Sequence, residues 1–180
     1  MGPKLEMVAK GGAGLPGRPA SFRLPRPTSS EILLQIIERF EERVSLQSTE
    51  PLHLIGVATG GDQIASAVAT RFALVCPHTP VWLSSINLMK PLNIVAPLTS
   101  VNGQRPRTIV FDNAVTTGHT MHEVLKLLEG KSVTVDLIVK LIDYRDGLET
   151  GATQFLELEH HVPIASLFTV DEILPVTDPL

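Results

Sequence analysis

Thr116-Thr117-Gly118-His119-Thr120 places three hydroxyls, an imidazole and a glycine in five consecutive residues. The apolar run Thr108-Ile-Val-Phe111 precedes them, and helical spacing follows from Thr120 to Leu128. A strand feeding a polar turn that opens a helix is a phosphate site in outline. The first helical N–H groups have no intrahelical acceptor, and the dipole end is positive. Gly118 permits close backbone approach, and Thr116, Thr117, His119 and Thr120 can add donors. Asp112, at the end of the strand, would repel phosphate. Its partners are therefore sugar hydroxyls or a metal ion. Hydroxyls at one end and phosphate at the other describe ribose 5-phosphate. The bland alternative is a threonine-capped turn with an aspartate on the helix dipole.

These residues need elements to hold them. Leu52–Val57 reads as a buried strand, Ala58-Thr59-Gly60-Gly61 as a turn, and Asp62–Leu74 as a helix. Further strands are expected at 80–83, 108–111, 133–142 and 164–168, with helices at 120–128 and 152–160. A helical turn at 170–174 closes the chain. Residues 84–107 read as loop, part of it able to pair as a ribbon. Ser29-Ser30-Glu31 opens an amphipathic helix carrying Ile32, Leu33, Ile36, Ile37 and Phe40 on one face. Alternating strands and helices imply a mostly parallel sheet with helices on both faces. In such sheets ligands bind at strand carboxyl ends, which selects the loops 58–62 and 112–120.

Residues 1–30 are rich in Gly and Pro and read as a flexible arm or irregular cover, leaving 31–180 as one domain. Net charge is −4, which argues against a general nucleic-acid binder. Within 1–27, five basic residues oppose Glu6 alone, and the bland reading is a solvated tail. Cys76 is the only cysteine and lies in an apolar run, so it reads as core packing in a reducing cytoplasm. No stretch approaches the ~18 apolar residues of a membrane span, and no signal-peptide core is visible.

The segment Thr108–Thr120 resembles the phosphoribosylpyrophosphate (PRPP) motif of type I phosphoribosyltransferases: apolar residues, two acids, a variable pair, then T-T-G-x-T. Asp112 matches the first acid, and Asn113 replaces the second. Leu54–Ala69, with Gly-Val-Ala-Thr-Gly-Gly, is similar to the family's pyrophosphate loop and closest to orotate phosphoribosyltransferases. Val162–Leu174 resembles their last strand and final helix. Leu141–Gly147 looks like their Asp-Arg-x-x-Gly, with the arginine displaced to Arg145. Gly17-Arg18 and Ser21-Phe22 match the N-terminal base-holding segment faintly, which implies a reduced N-terminal hood. The resemblance implies transfer of ribose 5-phosphate from PRPP to a pyrimidine base, orotate giving orotidine monophosphate. It also implies Mg2+ at Asp112, pyrophosphate on Thr59, Gly60 and Gly61, the 5-phosphate on 116–120 with Asn113 beside it, a base contact from Arg145, and a homodimer.

The family supplies an Arg-Lys pair after its second strand; Ser85 and Ile86 stand there. Lys90 is the only Lys or Arg between 72 and 104 and is the candidate catalytic cation, with Arg105, Arg107 or a second subunit as other sources. A relative that binds a phosphorylated ribose as sensor or partner subunit is the alternative. His160 reads as a partner of a helix C-terminus rather than half of a metal pair with His161. His122 reads as surface, and Trp82 as core or subunit contact. Asp143 and Asp146 read as turn caps.

Overall fold

A computed structural model describes residues 6–8, 30–44, 50–89, 91–95, 97–144, 147–172 and 174–176. In chain order the elements are β1 (Glu6–Val8), α1 (Ser30–Arg43), β2 (Leu52–Val57), α2 (Ala58–Val75), β3 (Val81–Asn87) and β4 (Asn93–Val95). Then follow β5 (Arg107–Asp112), α3 (His119–Gly130), β6 (Leu137–Asp143), α4 (Gly147–His160), β7 (Ile164–Thr169), a 3-10 turn at Val170–Glu172 and β8 (Leu174–Val176).

Six strands form the main sheet in the order β4-β3-β2-β5-β6-β7. All neighbours are parallel except the short β3–β4 ribbon. The expected α/β architecture is therefore present, ribbon included. All six residues of β2 are buried, as a central strand covered on both faces requires. Ile36 and Phe40 of α1, with Ile64 and Val68 of α2, join Leu54, Ile109 and Phe111 in one core layer. Val124 and Leu128 of α3, with Leu156 of α4, join Ile55, Val110 and Ile138 in the other. Helices α1 and α2 thus cover one face, and α3 and α4 cover the opposite one. Cys76 packs at the margin of the first layer, as its sequence context suggests.

The boundaries differ in five main places, the first being β3, which runs on to Asn87 rather than ending at 83. The expected 58–61 turn is the first turn of α2. Strand β6 begins at Leu137 rather than Val133, because the chain leaves α3 through Ser132 at φ 57° and Val133 N–H returns to the Leu128 carbonyl at 2.9 Å. Helix α4 starts at Gly147, five residues before the expected 152. The close of the chain is a 3-10 turn followed by a strand, and β8 pairs in parallel with β1, inside the segment expected to be an irregular arm.

The order of the strands fixes where a ligand can enter. The chain leaves β2 through α2 towards β3, and leaves β5 through α3 towards β6, on the other side. Adjacent strands β2 and β5, paired from Leu52 with Arg107 to Gly56 with Phe111, therefore end together where the connections part. A crevice opens outside such a switch point.

Candidate functional site

Two helices begin at that crevice, and neither is capped. The residue ahead of α2 is Val57 and the residue ahead of α3 is Gly118, and neither supplies a side-chain cap. Neither first turn holds an acidic residue. The first intrahelical bond of α3 runs from His122 N–H to the Gly118 carbonyl at 2.8 Å, so the earlier amides have no intrahelical acceptor. Uncapped helix starts are positive dipole ends with free donors. By contrast α1 and α4 carry Glu31 and Glu149 in their first turns.

Thr116, Thr117 and Gly118 lie in the bend before α3, and His119 and Thr120 form its first turn. Thr117 and Thr120 are exposed, and Thr116 is half-buried. Gly118 adopts φ 75°, in the left-handed region, and a Cβ there would stand 3.2 Å from the Ala152 Cβ. The left-handed φ favours glycine, and an added methyl would need Ala152 to give by a few tenths of an ångström. His119 points outward, 73% exposed, with Nε2 3.5 Å from Glu123 Oε1.

On the other loop, Gly60 and Gly61 are buried in the first turn of α2. A Cβ on Gly60 would overlap the Asn113 carboxamide, and one on Gly61 would overlap the Phe111 carbonyl oxygen. Their smallness lets the helix start rest directly on the end of β5, so the two loops touch. The Thr59 side chain lies outside the described residues, as do Lys90, Arg145, Asp146 and the 17–22 segment. The chain enters α2 through Ala58 at φ 50°, a conformation that costs a non-glycine residue energy and clusters at functional sites.

Asp112 sits between these loops. One oxygen accepts the Asn113 N–H at 2.7 Å, and among the described residues the other has no partner. Burial pushes its carboxyl up to about 7, with the Asn113 bond opposing weakly. Asn113 donates no compensating charge, and its own Oδ1 is buried without a partner among the described residues. The Asn113 carbonyl accepts from Ile142 N–H at 3.0 Å, tying this loop to the end of β6.

Two networks at the crevice escaped the sequence reading. Ser85 Oγ donates to Asp62 Oδ2 at 3.0 Å, so a hydroxyl–carboxylate pair fills the β3 end where the resemblance calls for cations. Burial raises the Asp62 carboxyl and the Ser85 bond opposes it. On β6, buried Lys140 reaches Glu149 Oε1 at 3.0 Å and Asp143 Oδ1 at 3.4 Å. The other Glu149 oxygen accepts Tyr144 N–H. Burial raises the Glu149 carboxyl while Lys140 draws it down. The signal was a lysine inside the apolar run Ile138-Val-Lys-Leu-Ile142, a position that demands a buried partner.

Arg105 and Arg107 cannot serve the crevice. Arg105 pairs with Asp136 at 2.6 Å, and both arginines stand at the opposite end of β5, roughly 17 Å away for a strand of this length. His122 is half-buried rather than on the surface, because Phe155 and His160 of α4 pack on its ring. His160 ends α4 and contacts His122 at 2.8 Å and Glu129 at 2.9 Å, while His161 is exposed. Trp82 is exposed, outside the core. Among the described residues no group of three or more His, Cys, Asp or Glu is placed to hold a metal ion. A hollow of about 770 Å3 lies between α1 and α2, lined by Leu33, Leu34, Ile37 and Leu74 and reaching Asp62, the carboxylate paired with Ser85.

Similar folds are known. Orotate phosphoribosyltransferase of Francisella tularensis is 15% identical with TM-score 0.59, over 80% of this chain and 69% of that one. The Mycobacterium tuberculosis orotate enzyme, solved with PRPP, is 18% identical with TM-score 0.57, over 78% and 74%. Adenine phosphoribosyltransferase of Rhodothermus marinus is 17% identical with TM-score 0.54, over 79% and 81%. No curated protein matches the sequence. A family model, the phosphoribosyl transferase domain, matches residues 28–149, which span both crevice loops and the strands behind them, and the chain therefore belongs to the phosphoribosyltransferase family of pentosyltransferases.

Proposed function

We propose that this chain transfers ribose 5-phosphate from PRPP to a nitrogenous base, with orotate as the acceptor. One observation carries the reading: two uncapped, acid-free helix starts flank Asp112 at the switch point of the sheet. They suit the two anionic ends of PRPP, the 5-phosphate on residues 116–120 of α3 and the pyrophosphate on residues 59–61 of α2. Asp112 lies between them to accept from the ribose diol. As the C1–oxygen bond breaks, its electron pair leaves with pyrophosphate and the ring gains oxocarbenium character. The base nitrogen then attacks C1. An ionised Asp112 favours that positive charge.

Mg2+ fits the site in a limited way. It commonly uses one or two carboxylates together with substrate oxygens, and Asp112 offers one oxygen without a partner among the described residues. When bound, the ion neutralises the leaving pyrophosphate. Asn113 adds a neutral amide where the family motif has a second carboxylate. The acceptor rests on the sequence resemblance to orotate enzymes, and relatives of similar fold include an adenine enzyme. Exposed Leu83, Leu88, Met89 and Val95 on β3, β4 and their connection support a homodimer covering this edge. No described helix is long and apolar enough to cross a membrane, and a cytoplasmic location is part of this proposal.

The Ser85–Asp62 pair favours a second reading, a binding-only relative, because an acidic group stands where a leaving anion needs cations. Turnover assays with PRPP, Mg2+ and either orotate or adenine separate these. Orotidine monophosphate formation is expected. Adenosine monophosphate alone would overturn the acceptor. Tight PRPP binding without turnover on either base would establish the binding-only reading.

A further inference from the structure

Strand register sets three residues side by side at one level of the sheet: Ser85 of β3, Gly56 of β2 and Phe111 of β5. The start of α2 rests on all three. Asp62 lies against Gly56, where a Cβ would overlap both the Cα and the Oδ1 of Asp62. Its other oxygen, Oδ2, accepts from Ser85 Oγ at 3.0 Å. Gly61 lies against the Phe111 carbonyl oxygen. Glycine inside a buried strand weakens the strand and marks a place where another backbone comes close. At Gly56 the backbone that comes close is the helix start.

That start needs holding. The chain enters α2 through Ala58 at φ 50°, and such a conformation persists only where its surroundings over-determine it. Val57 supplies no side-chain cap, and the first turn holds no acid. The Asp62 carboxylate turns in to the sheet, at the end of the hollow between α1 and α2. Burial there raises the carboxyl, and the Ser85 bond opposes the rise. The hydroxyl thus returns part of what the carboxylate loses in leaving water.

We infer that Asp62 and Ser85 are positioning residues, which fasten the first turn of α2, and with it Gly60 and Gly61, to β2 and β3. The fastening stands on contacts alone. Its bearing on a ligand rests on the PRPP binding proposed above, and is the same for a transferase and for a binding-only relative. The pair at the β3 end then serves pyrophosphate indirectly, by holding the amides of 59–61 in place for it.

Ser85→Ala and Ser85→Thr are compared with wild type, because both leave the sequence of α2 untouched. Ser85→Ala removes the donor and should melt close to wild type. The Gln63 and Ile64 N–H groups close the first helical turns onto residues 59 and 60. In Ser85→Ala they should exchange about tenfold faster or more, as the start of the helix frays. Ser85→Thr keeps the hydroxyl and should restore the protection. Calorimetry in Mg2+ then compares PRPP with ribose 5-phosphate, which lacks the pyrophosphate. Ser85→Ala should weaken PRPP binding about tenfold or more and leave ribose 5-phosphate within about twofold of wild type. Unchanged exchange in Ser85→Ala, or no recovery in Ser85→Thr, overturns the fastening. Faster exchange with PRPP weakened no more than ribose 5-phosphate overturns the role on the pyrophosphate side. A wild type that binds neither ligand refutes the proposed function, and the exchange measurement still decides the fastening.

Discussion

Two neighbouring rims of the same sheet are built in opposite ways. Among the described residues at the end of β5, Asp112 bonds only to the next residue's amide, Asn113 leaves a buried oxygen without a partner, and α3 starts without a side-chain cap. At the end of β6, Lys140, Asp143, Tyr144 and Glu149 satisfy one another, and α4 starts with an acid in its first turn. One rim has an uncapped helix start and a carboxyl whose titration burial raises to about 7. The other is closed on itself. On the proposed function, the open rim is where a ligand completes the structure.

Breaking the closed rim should produce the largest effect. Lys140→Met leaves Glu149 buried without its partner and should destabilise the fold by about 3–5 kcal/mol, measured by urea unfolding at neutral pH.

At the open rim, Asp112→Asn should act on binding instead. PRPP affinity in Mg2+ should fall at least tenfold, about 1.4 kcal/mol, by calorimetry. Stability should move the other way with pH. The folded-state carboxyl stands at about 7, above its usual value, so the native state holds its proton more tightly than the unfolded chain. Its stabilising contribution is complete below the ordinary aspartate range and is lost as pH rises through about 7. Asp112→Asn should therefore melt above wild type at pH 8, with the gap closing towards pH 4. A gap that widens on acidification would contradict this burial of Asp112. For the same reason, Mg2+-dependent PRPP binding by wild type should strengthen from pH 6 to pH 8.

Gly118→Ala sharpens the comparison at the level of the backbone. Its left-handed φ should cost about 1–2 kcal/mol, with weakened binding of inorganic phosphate. His119→Ala should do least. The ring is exposed and meets only Glu123 among the described residues, so stability should shift by about 0.5 kcal/mol or less, and phosphate affinity should hold.

Much of the open rim was legible in the sequence because its parts are contiguous. Strand, turn and helix follow one another from Thr108 to Leu128, and the local pattern carries the geometry. The closed rim was not legible. Lys140 and Glu149 are nine positions apart on different elements, and only the fold brings them together. The Gly60-Gly61 pair was read as a turn because glycine usually marks one. Here it marks a helix start pressed against a neighbouring strand, a constraint that resides in Phe111 and Asn113. Strands β1 and β8 escaped for a similar reason: Glu6–Val8 and Leu174–Val176 are three-residue strands that lie far apart in sequence, and among the described residues they pair with each other. The early start of α4 was hidden because Gly147 and Gly151 are poor helix formers, and Glu149 is held in place by a partner on β6.

The central pairing of β2 with β5 has a consequence for how the molecule comes to exist. These strands meet only after α2, β3 and β4 have been looped out between them. Closing so long a loop must be paid in chain entropy before the contacts return anything, which slows folding. The crevice has no local precursor: until that register locks, the two helix starts have no reason to face each other. A folding intermediate could assemble the β2–α2–β3 unit alone and still lack any affinity for a sugar phosphate. Recovery of ligand binding after dilution from denaturant should therefore trail the recovery of helix signal.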